Sequence, residues 1–273
     1  MSTSPRQIAD ENERIADAGS YRAPDGTSVD IAAALAAACA GTVSYAPADD
    51  VSGGPRGPFA GSFEVTGEGS MQAARRCYDE GGRAVGVLNF ASARNPGGGY
   101  LRGARAQEED LCRSALLYRC LLQAPDYYAA HRASSDLNYS HRVIYSPAVP
   151  VIRDDRGALA PQAIPVSFLT SPAPNAGQLV LQAGAAVDVR EVLIARADRA
   201  LAVAARHGIR ELVLGAWGCG VFRNDPAEVA AAFDLALREH GAAFQRVVFA
   251  VWDRNPVSPN RAAFASRFGA ALT

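Results

Sequence analysis

The chain has 273 residues, 49% of them hydrophobic, and a formal charge of -1, which is ample for a packed core in one large domain or two small ones. A near-neutral chain has no global basic field to draw in nucleic acid, so any anionic ligand must be caught locally. All 27 basic residues are arginine, which excludes a lysine-dependent phosphate loop and Schiff-base chemistry.

No run of eighteen apolar residues occurs, and the alanine-rich 31–40 is too short to span a bilayer, so no transmembrane helix is expected. The first nineteen residues are polar with acids mixed in, a pattern of neither a signal nor a transit peptide, and the expected location is cytoplasmic. Cys39, Cys77, Cys112, Cys120 and Cys219 form no C-x-x-C pair, and the four histidines lack helical i, i+4 spacing. Reduced, mostly buried thiols are expected, with no structural metal and no cofactor.

In chain order, 5–18 reads as an amphipathic helix with Ile8 and Ile15 on one face, followed by a turn at Ala23-Pro24-Asp25-Gly26. Residues 29–40 begin extended and become helical, and 47–61, rich in Pro, Gly, Ser and Asp, read as a loop. Residues 1–58 are therefore expected to be an N-terminal extension packing on a core of 59–273. Beyond it the pattern alternates: strand 63–66, helix 70–78, strand 84–89, a helix from Gln107, helix 125–132, strands 143–145 and 166–169 around a polar turn at 153–157, helix 187–207, strand 211–215, helix 226–240, strand 246–252 and helix 260–268. Such alternation predicts a three-layer α/β/α sandwich around a mixed or largely parallel central sheet, whose ligands lie beyond the carboxyl ends of the strands.

The stretch 86–122 organises the chain. An apolar run leads into Gly97-Gly98-Gly99, then into a segment opening Gln107-Glu108-Glu109 with helical periodicity. Glu108 aligns with Leu111 and Ala115, and Glu109 with Cys112 and Leu116, while Tyr118 and Leu122 continue the stripe. Asp110, aligned with Arg113 and Ser114, is the solvent-facing acid. First-turn acids have an ordinary explanation in the helix dipole, but here they follow glycines that free the backbone to approach an anion or a sugar.

A second loop, 214–230, reads LGAWGCGVFRNDPAEVA. Its glycines, with Asn224, Asp225 and Pro226 as a helix start, fit either a tight connection or a phosphate site at a helix N-terminus. Both loops follow strands and precede helices, so they are expected at one rim of the sheet.

Gly-Gly-Gly, the seven-residue spacer YLRGARA, then Gln-Glu-Glu resembles the signature of bacterial-type poly(ADP-ribose) glycohydrolases. The resemblance implies a macrodomain-like core over about three quarters of the chain. It further implies that Gly97, Gly98, Gly99 and Gln107 line the substrate, that Gly218, Cys219, Gly220 and Val221 wrap the ADP-ribose diphosphate, and that Phe222 presses on the ribose beside the scissile bond. As a phenylalanine, Phe222 fits a core anchor equally well. Asn89 and Asn95 flank the turn ahead of the glycines, where amides usually satisfy loop backbone; the resemblance directs Asn95 to the terminal ribose hydroxyls. The segment SPAPNAG, 171–177, resembles another family segment and brings in Asn175.

Consecutive helical residues point about 100° apart, so Glu108 and Glu109 cannot face each other across a glycosidic bond as a retaining pair. The resemblance makes Glu109 the acid and base, and Glu108 a positioning group for ribose hydroxyls. It implies poly(ADP-ribose) or ADP-ribosylated proteins as partners, ADP-ribose as product, and a place in the DNA damage response. No direct nucleic-acid or membrane binding is expected, and a monomer is. A macrodomain that binds ADP-ribose without cleaving it, and a mono-ADP-ribosyl hydrolase, remain the alternatives.

Overall fold

Apolar runs rich in Val, Leu and Phe form the strands, and segments with a 3.6-residue stripe form the helices that cover them. In the computed structural model, which describes residues 4–269, the elements are α1 (Pro5–Ala18), β1 (Ser20–Arg22), β2 (Ser28–Asp30), α2 (Ala32–Ala40), β3 (Val43–Tyr45), β4 (Ser62–Thr66), α3 (Ser70–Asp79), β5 (Val85–Phe90), α4 (Gln107–Ser114), α5 (Leu117–Leu121), α6 (Pro125–Arg132), β6 (Val143–Arg153), β7 (Leu159–Ser171), α7 (Ala176–Ala183), α8 (Arg190–Arg206), β8 (Glu211–Leu214), α9 (Pro226–His240), β9 (Arg246–Ala250) and α10 (Pro259–Phe268).

The main sheet has seven strands in the order β3-β6-β7-β5-β8-β9-β4. From β7 to β4 every neighbour is parallel, and β6 and β3 add two antiparallel pairings at one side. Strand side chains alternate between two cores, as the pleat requires. Leu212, Leu214, Val247 and Phe249 face the layer of α8, α9 and α10, where Leu201, Phe233 and Phe264 are buried. Val213, Val248 and Ala250 face the opposite layer, with Leu111, Leu117 and Tyr127. The result is the three-layer sandwich around a mixed sheet.

The segment before residue 58 shares this core. Ala9, Ile15, Ile31, Leu35 and Ala38 are buried in the same cluster as Val87 and Phe168, and β3 pairs with β6 as an outer strand of the sheet. The seam expected at residue 58 thus crosses shared core. The turn at 23–26 closes a small hairpin of β1 and β2.

Two elements depart from the expected boundaries for physical reasons. The helix from Gln107 does not run on to Leu122: Ala115 is extended (φ -122°, ψ 160°), bridges to Val151, and is followed by Leu116 donating to the Pro150 carbonyl at 3.0 Å. Pairing with β6 outweighs helix continuation, and the stripe turns so that Leu117, Cys120 and Leu121 are buried while Leu122 is 44% exposed. Strands β6 and β7 are also far longer than expected. Pro147, Pro150, Pro161 and Pro165 mask them, because proline removes a ladder donor. Pro147 and Pro161 fall at register shifts, between Ser146 and Val149 and between Val151 and Arg153, while Pro150 and Pro165 face each other as a pair in the regular stretch between them.

Among the described residues no helix is long and apolar enough to cross a membrane, and no cluster of His, Cys, Asp and Glu is placed to hold a metal ion.

Candidate active site

Parallel pairing of β5 with β7 and β8 puts their carboxyl ends on one edge, so both glycine loops leave from the same rim. One carbonyl joins them. Ser171 O, at the end of β7, accepts from the Ala91 amide at 3.3 Å in the first loop and from the Trp217 indole Nε1 at 3.1 Å in the second. Gly215 completes the junction, since a Cβ there would lie 2.5 Å from Ala250 O and 3.2 Å from the Phe90 ring.

Helix α4 begins at this rim, and its first turn aims two carboxylates inward. Glu108 and Glu109 are both buried, whereas Asp110 is exposed and pairs with Arg113 at 3.0 Å. Glu108 Oε2 accepts from the Ser92 amide at 2.6 Å and Oε1 from Asn89 Nδ2 at 3.3 Å. Burial pushes the Glu108 carboxyl up to about 8; the Ser92 and Asn89 donors oppose the rise, and the nearby charge of Glu109 adds to it. Glu109 Oε2 accepts from the Ala106 amide at 2.9 Å, as a capping-box glutamate does. Capping accounts for only one oxygen, because Oε1 accepts from the Gly99 amide at 2.7 Å.

The triple glycine serves these carboxylates. Gly97 and Gly98 are left-handed, at φ 63° and 58°, and a Cβ on Gly98 would collide with Glu109 Oε1 and stand 3.1 Å from Glu108 Oε2. The Gly98 amide is spent on Asn95 O at 3.0 Å, and that of Gly99 on Glu109. These amides hold the loop and the acids, in place of the open donors expected of them. Gln107 is similarly committed: its Oε1 accepts from the Phe90 amide at 2.9 Å, and its Nε2 donates to Leu88 O at 2.9 Å and Ser70 Oγ at 3.1 Å. It pins the start of α4 to the end of β5 and to α3.

In the second loop Asp225 caps α9, with its side chain accepting from the Ala227 amide at 2.8 Å and Pro226 in the first turn. The Cys219 amide donates to Ala216 O at 3.1 Å, so this residue offers no free donor. The amides of Gly218, Gly220, Val221 and Phe222 have no acceptor among the described residues. Val221 is 84% exposed. Phe222 is half-buried, with its ring 6.1 Å from that of Tyr139.

The asparagines divide. Asn89 is fully buried, joins Glu108 to Thr170 Oγ1 (3.1 Å), and its Oδ1 has no partner. Asn95 is exposed on the loop ahead of the glycines. Asn175 caps α7, its side chain accepting from the Gln178 amide at 3.2 Å, and the Gly177 amide donates to Phe222 O at 2.9 Å, tying that cap to the second loop.

The family model described as microbial-type PARG, catalytic domain, matches residues 9–154. The chain belongs to the microbial-type poly(ADP-ribose) glycohydrolases. It is similar to the crystal structure of the poly(ADP-ribose) glycohydrolase of Thermomonospora curvata, with 46% identity over 97% of this chain and 99% of that one and a TM-score of 0.89. The same enzyme bound to the inhibitor ADP-HPD matches with 47% identity, the same coverage and a TM-score of 0.87. The enzyme of Deinococcus radiodurans in complex with ADP-ribose matches with 46% identity over 85% of this chain and 96% of that one, at a TM-score of 0.77. No curated protein sequence matches significantly.

The family's macrodomain-like sandwich is the fold described above. Several residues of this candidate site lie outside the sequence motifs. Ser92 carries the amide bound to Glu108, Thr170 and Ser171 end β7, and Trp217 ties the second loop to the rim. Thr170 and Ser171 left one signal, a polar pair closing an apolar strand.

Proposed function

We propose that this chain hydrolyses the ribose–ribose O-glycosidic bonds of poly(ADP-ribose) and releases ADP-ribose. The observation that carries this reading is the pair of buried carboxylates on consecutive residues of α4, set against Gly98, on the rim that also presents the unengaged amides of the second loop.

In this reading the amides of Gly218, Gly220, Val221 and Phe222 receive the diphosphate, while the α9 N-terminus behind them favours negative charge. The Phe222 ring presses on the ribose at the scissile bond. Glu109, held on both oxygens by the Gly99 and Ala106 amides, donates a proton to the departing 2′-oxygen as the bond to the anomeric carbon breaks. Diphosphate oxygens stabilise the positive charge that develops there. Water adds to the anomeric carbon and returns a proton to Glu109. Glu108, steadied by Ser92 and Asn89, accepts from ribose hydroxyls, and Asn95 reaches the terminal ribose from the exposed turn.

One observation favours a second division of labour. Burial raises the Glu108 carboxyl to about 8, so Glu108 holds a proton near neutral pH and is the donor in the exchanged scheme. Glu109→Gln and Glu108→Gln separate the two. If Glu109 is the acid, Glu109→Gln binds ADP-ribose but releases none from polymer, whereas Glu108→Gln keeps part of its turnover; the exchanged scheme reverses the two outcomes.

We assign the reaction to the cytoplasm, to polymer made in the DNA damage response, and to a monomer without direct nucleic-acid affinity. The near-zero net charge supports the last point. Incubation with polymer and with mono-ADP-ribosylated protein, with the products resolved, tests the whole reading. ADP-ribose released from polymer is expected; binding without release identifies a reader, and release from the mono-modified protein alone identifies the other hydrolase.

A further inference from the structure

Arg196, in the middle of α8, has no exposed surface. No carboxylate lies within ion-pair distance of it among the described residues, and Asp136 acts on it only from further away. Burial pushes its guanidinium down to about 10, a level that still leaves it charged at neutral pH. A buried cation without a counter-ion is an unusual element of a core. Its hydrogen bonds show what it holds together.

The fork spans two chain segments. Nη1 donates to Pro172 O at 2.7 Å, one residue past the end of β7, and Nη2 donates to Asn138 O at 2.6 Å and Tyr139 O at 3.3 Å. Three carbonyls from two segments suit a planar guanidinium, and no neutral side chain offers that many donors. The second segment is the turn between α6 and β6. It is tied to the first glycine loop, with Arg94 donating to Ser134 O at 3.0 Å and Arg132 to Arg94 O at 2.8 Å. It is also tied to the α7 cap, where the Asn175 amide donates to Leu137 O at 2.9 Å.

Tyr139 itself is left-handed at φ 59°, a conformation a tyrosine keeps only when its surroundings impose it. Held there, its ring lies 6.1 Å from Phe222 and 5.9 Å from His131. We propose that Arg196 is a positioning residue of the site: by fastening the Asn138–Tyr139 turn to the end of β7, it makes Tyr139 a fixed backing for Phe222. This rests on the reading that Phe222 presses on the ribose. It adds a remote residue that sets where the ring stands and so acts on the chemical step more than on capture of the diphosphate.

The test measures polymer turnover, normalised to folded enzyme by ADP-ribose calorimetry, for Arg196→Met, Tyr139→Ala, Phe222→Ala and the Arg196→Met/Phe222→Ala double variant. The expected result is a fall in kcat of about tenfold or more for Arg196→Met, with KM nearly unchanged. Its further effect in the Phe222→Ala background should be small, because both changes remove the same element. Arg196→Lys, which keeps the charge and serves part of the carbonyl set, is expected to recover part of kcat. If Arg196→Met does not fold, Tyr139→Ala carries the test: it leaves the guanidinium and its carbonyls in place and should show the same loss and the same non-additivity. A lower Tm with full kcat in both Arg196→Met and Tyr139→Ala, while Phe222→Ala is crippled, overturns the staple alone. So does a loss that multiplies with that of Phe222→Ala. Full turnover by Phe222→Ala overturns the ribose reading and the proposal with it.

Discussion

Glu109 Oε1 occupies the place where a side chain at Gly98 would stand, with Glu108 Oε2 3.1 Å away. Gly98 is also left-handed at φ 58°, so Gly98→Ala brings both a collision and backbone strain of about 1–2 kcal/mol. The methyl cannot enter without moving a buried carboxylate that is fixed by two amides. Gly98→Ala is expected to lower kcat/KM on polymer by roughly a hundredfold, as misplacement of a reacting group by an ångström does. Turnover within a few-fold of wild type, measured on folded protein, would show that Glu109 moves freely and does not depend on this glycine.

Glu108 links the site to pH. Its carboxyl lies near 8 in the folded chain against an ordinary 4.5, so between those values the folded chain keeps a proton that the unfolded chain has lost. Stability therefore falls as pH rises through the window, with a slope approaching about 1.4 kcal/mol per pH unit, and levels off above it. Glu108→Gln removes this dependence. The variant should match wild type near pH 5 and exceed it near pH 8.5 in urea midpoint; parallel pH curves for the two proteins would refute the assignment.

Local periodicity was enough to orient the three acids of α4, and turn chemistry enough to start α9 at Pro226 behind Asp225. The common rim of the two loops followed from strands alternating with helices. The stop at Ala115 was not legible, because it depends on β6 backbone that arrives more than thirty residues later in the chain. The β6–β7 hairpin was hidden by its prolines. Ser92, Trp217 and Tyr139 act through a backbone amide or contacts distant in sequence, for which residue type alone carries no signal, and Thr170 left only the polar end of an apolar strand. Gln107 shows the converse: its motif marks the site, while its amide fastens secondary structure.

Gly218 tests the second loop. It is left-handed at φ 72°, and a Cβ would collide with Asn224 Nδ2 and approach Ala173 Cβ to 2.5 Å. Asn224 is itself buried and donates to Pro174 O at 3.0 Å, so the loop relieves the clash by shifting its unengaged amides. Gly218→Ala is expected to raise the Kd for ADP-ribose about tenfold or more, equivalent to about 1.4 kcal/mol, with α4 undisturbed. Calorimetry with ADP-ribose decides it, and unchanged affinity would remove this loop from the diphosphate site.

Asn12 shows why the N-terminal segment cannot be treated as an appendage. Fully buried on α1, it donates to Cys112 O at 3.2 Å and Arg113 O at 2.8 Å, two last-turn carbonyls of α4, and its Oδ1 accepts from Arg153 Nε at 2.9 Å. A helix leaves its final carbonyls without intrahelical partners, and here a side chain about a hundred residues away supplies them. Asn12→Ala strands those carbonyls and one guanidinium donor in a dry interface, a loss of about 2–3 kcal/mol. Because the two glutamates stand three to five residues earlier on α4, roughly 5–8 Å along its axis, and their carboxylates are held by the Ser92, Gly99 and Ala106 amides rather than by α1, kcat at low temperature should stay near wild type while the urea midpoint drops. A midpoint within error of wild type would mean that the end of α4 is held by its own contacts with β6; a collapse of kcat at full stability would mean that the α1 clamp reaches the carboxylates directly.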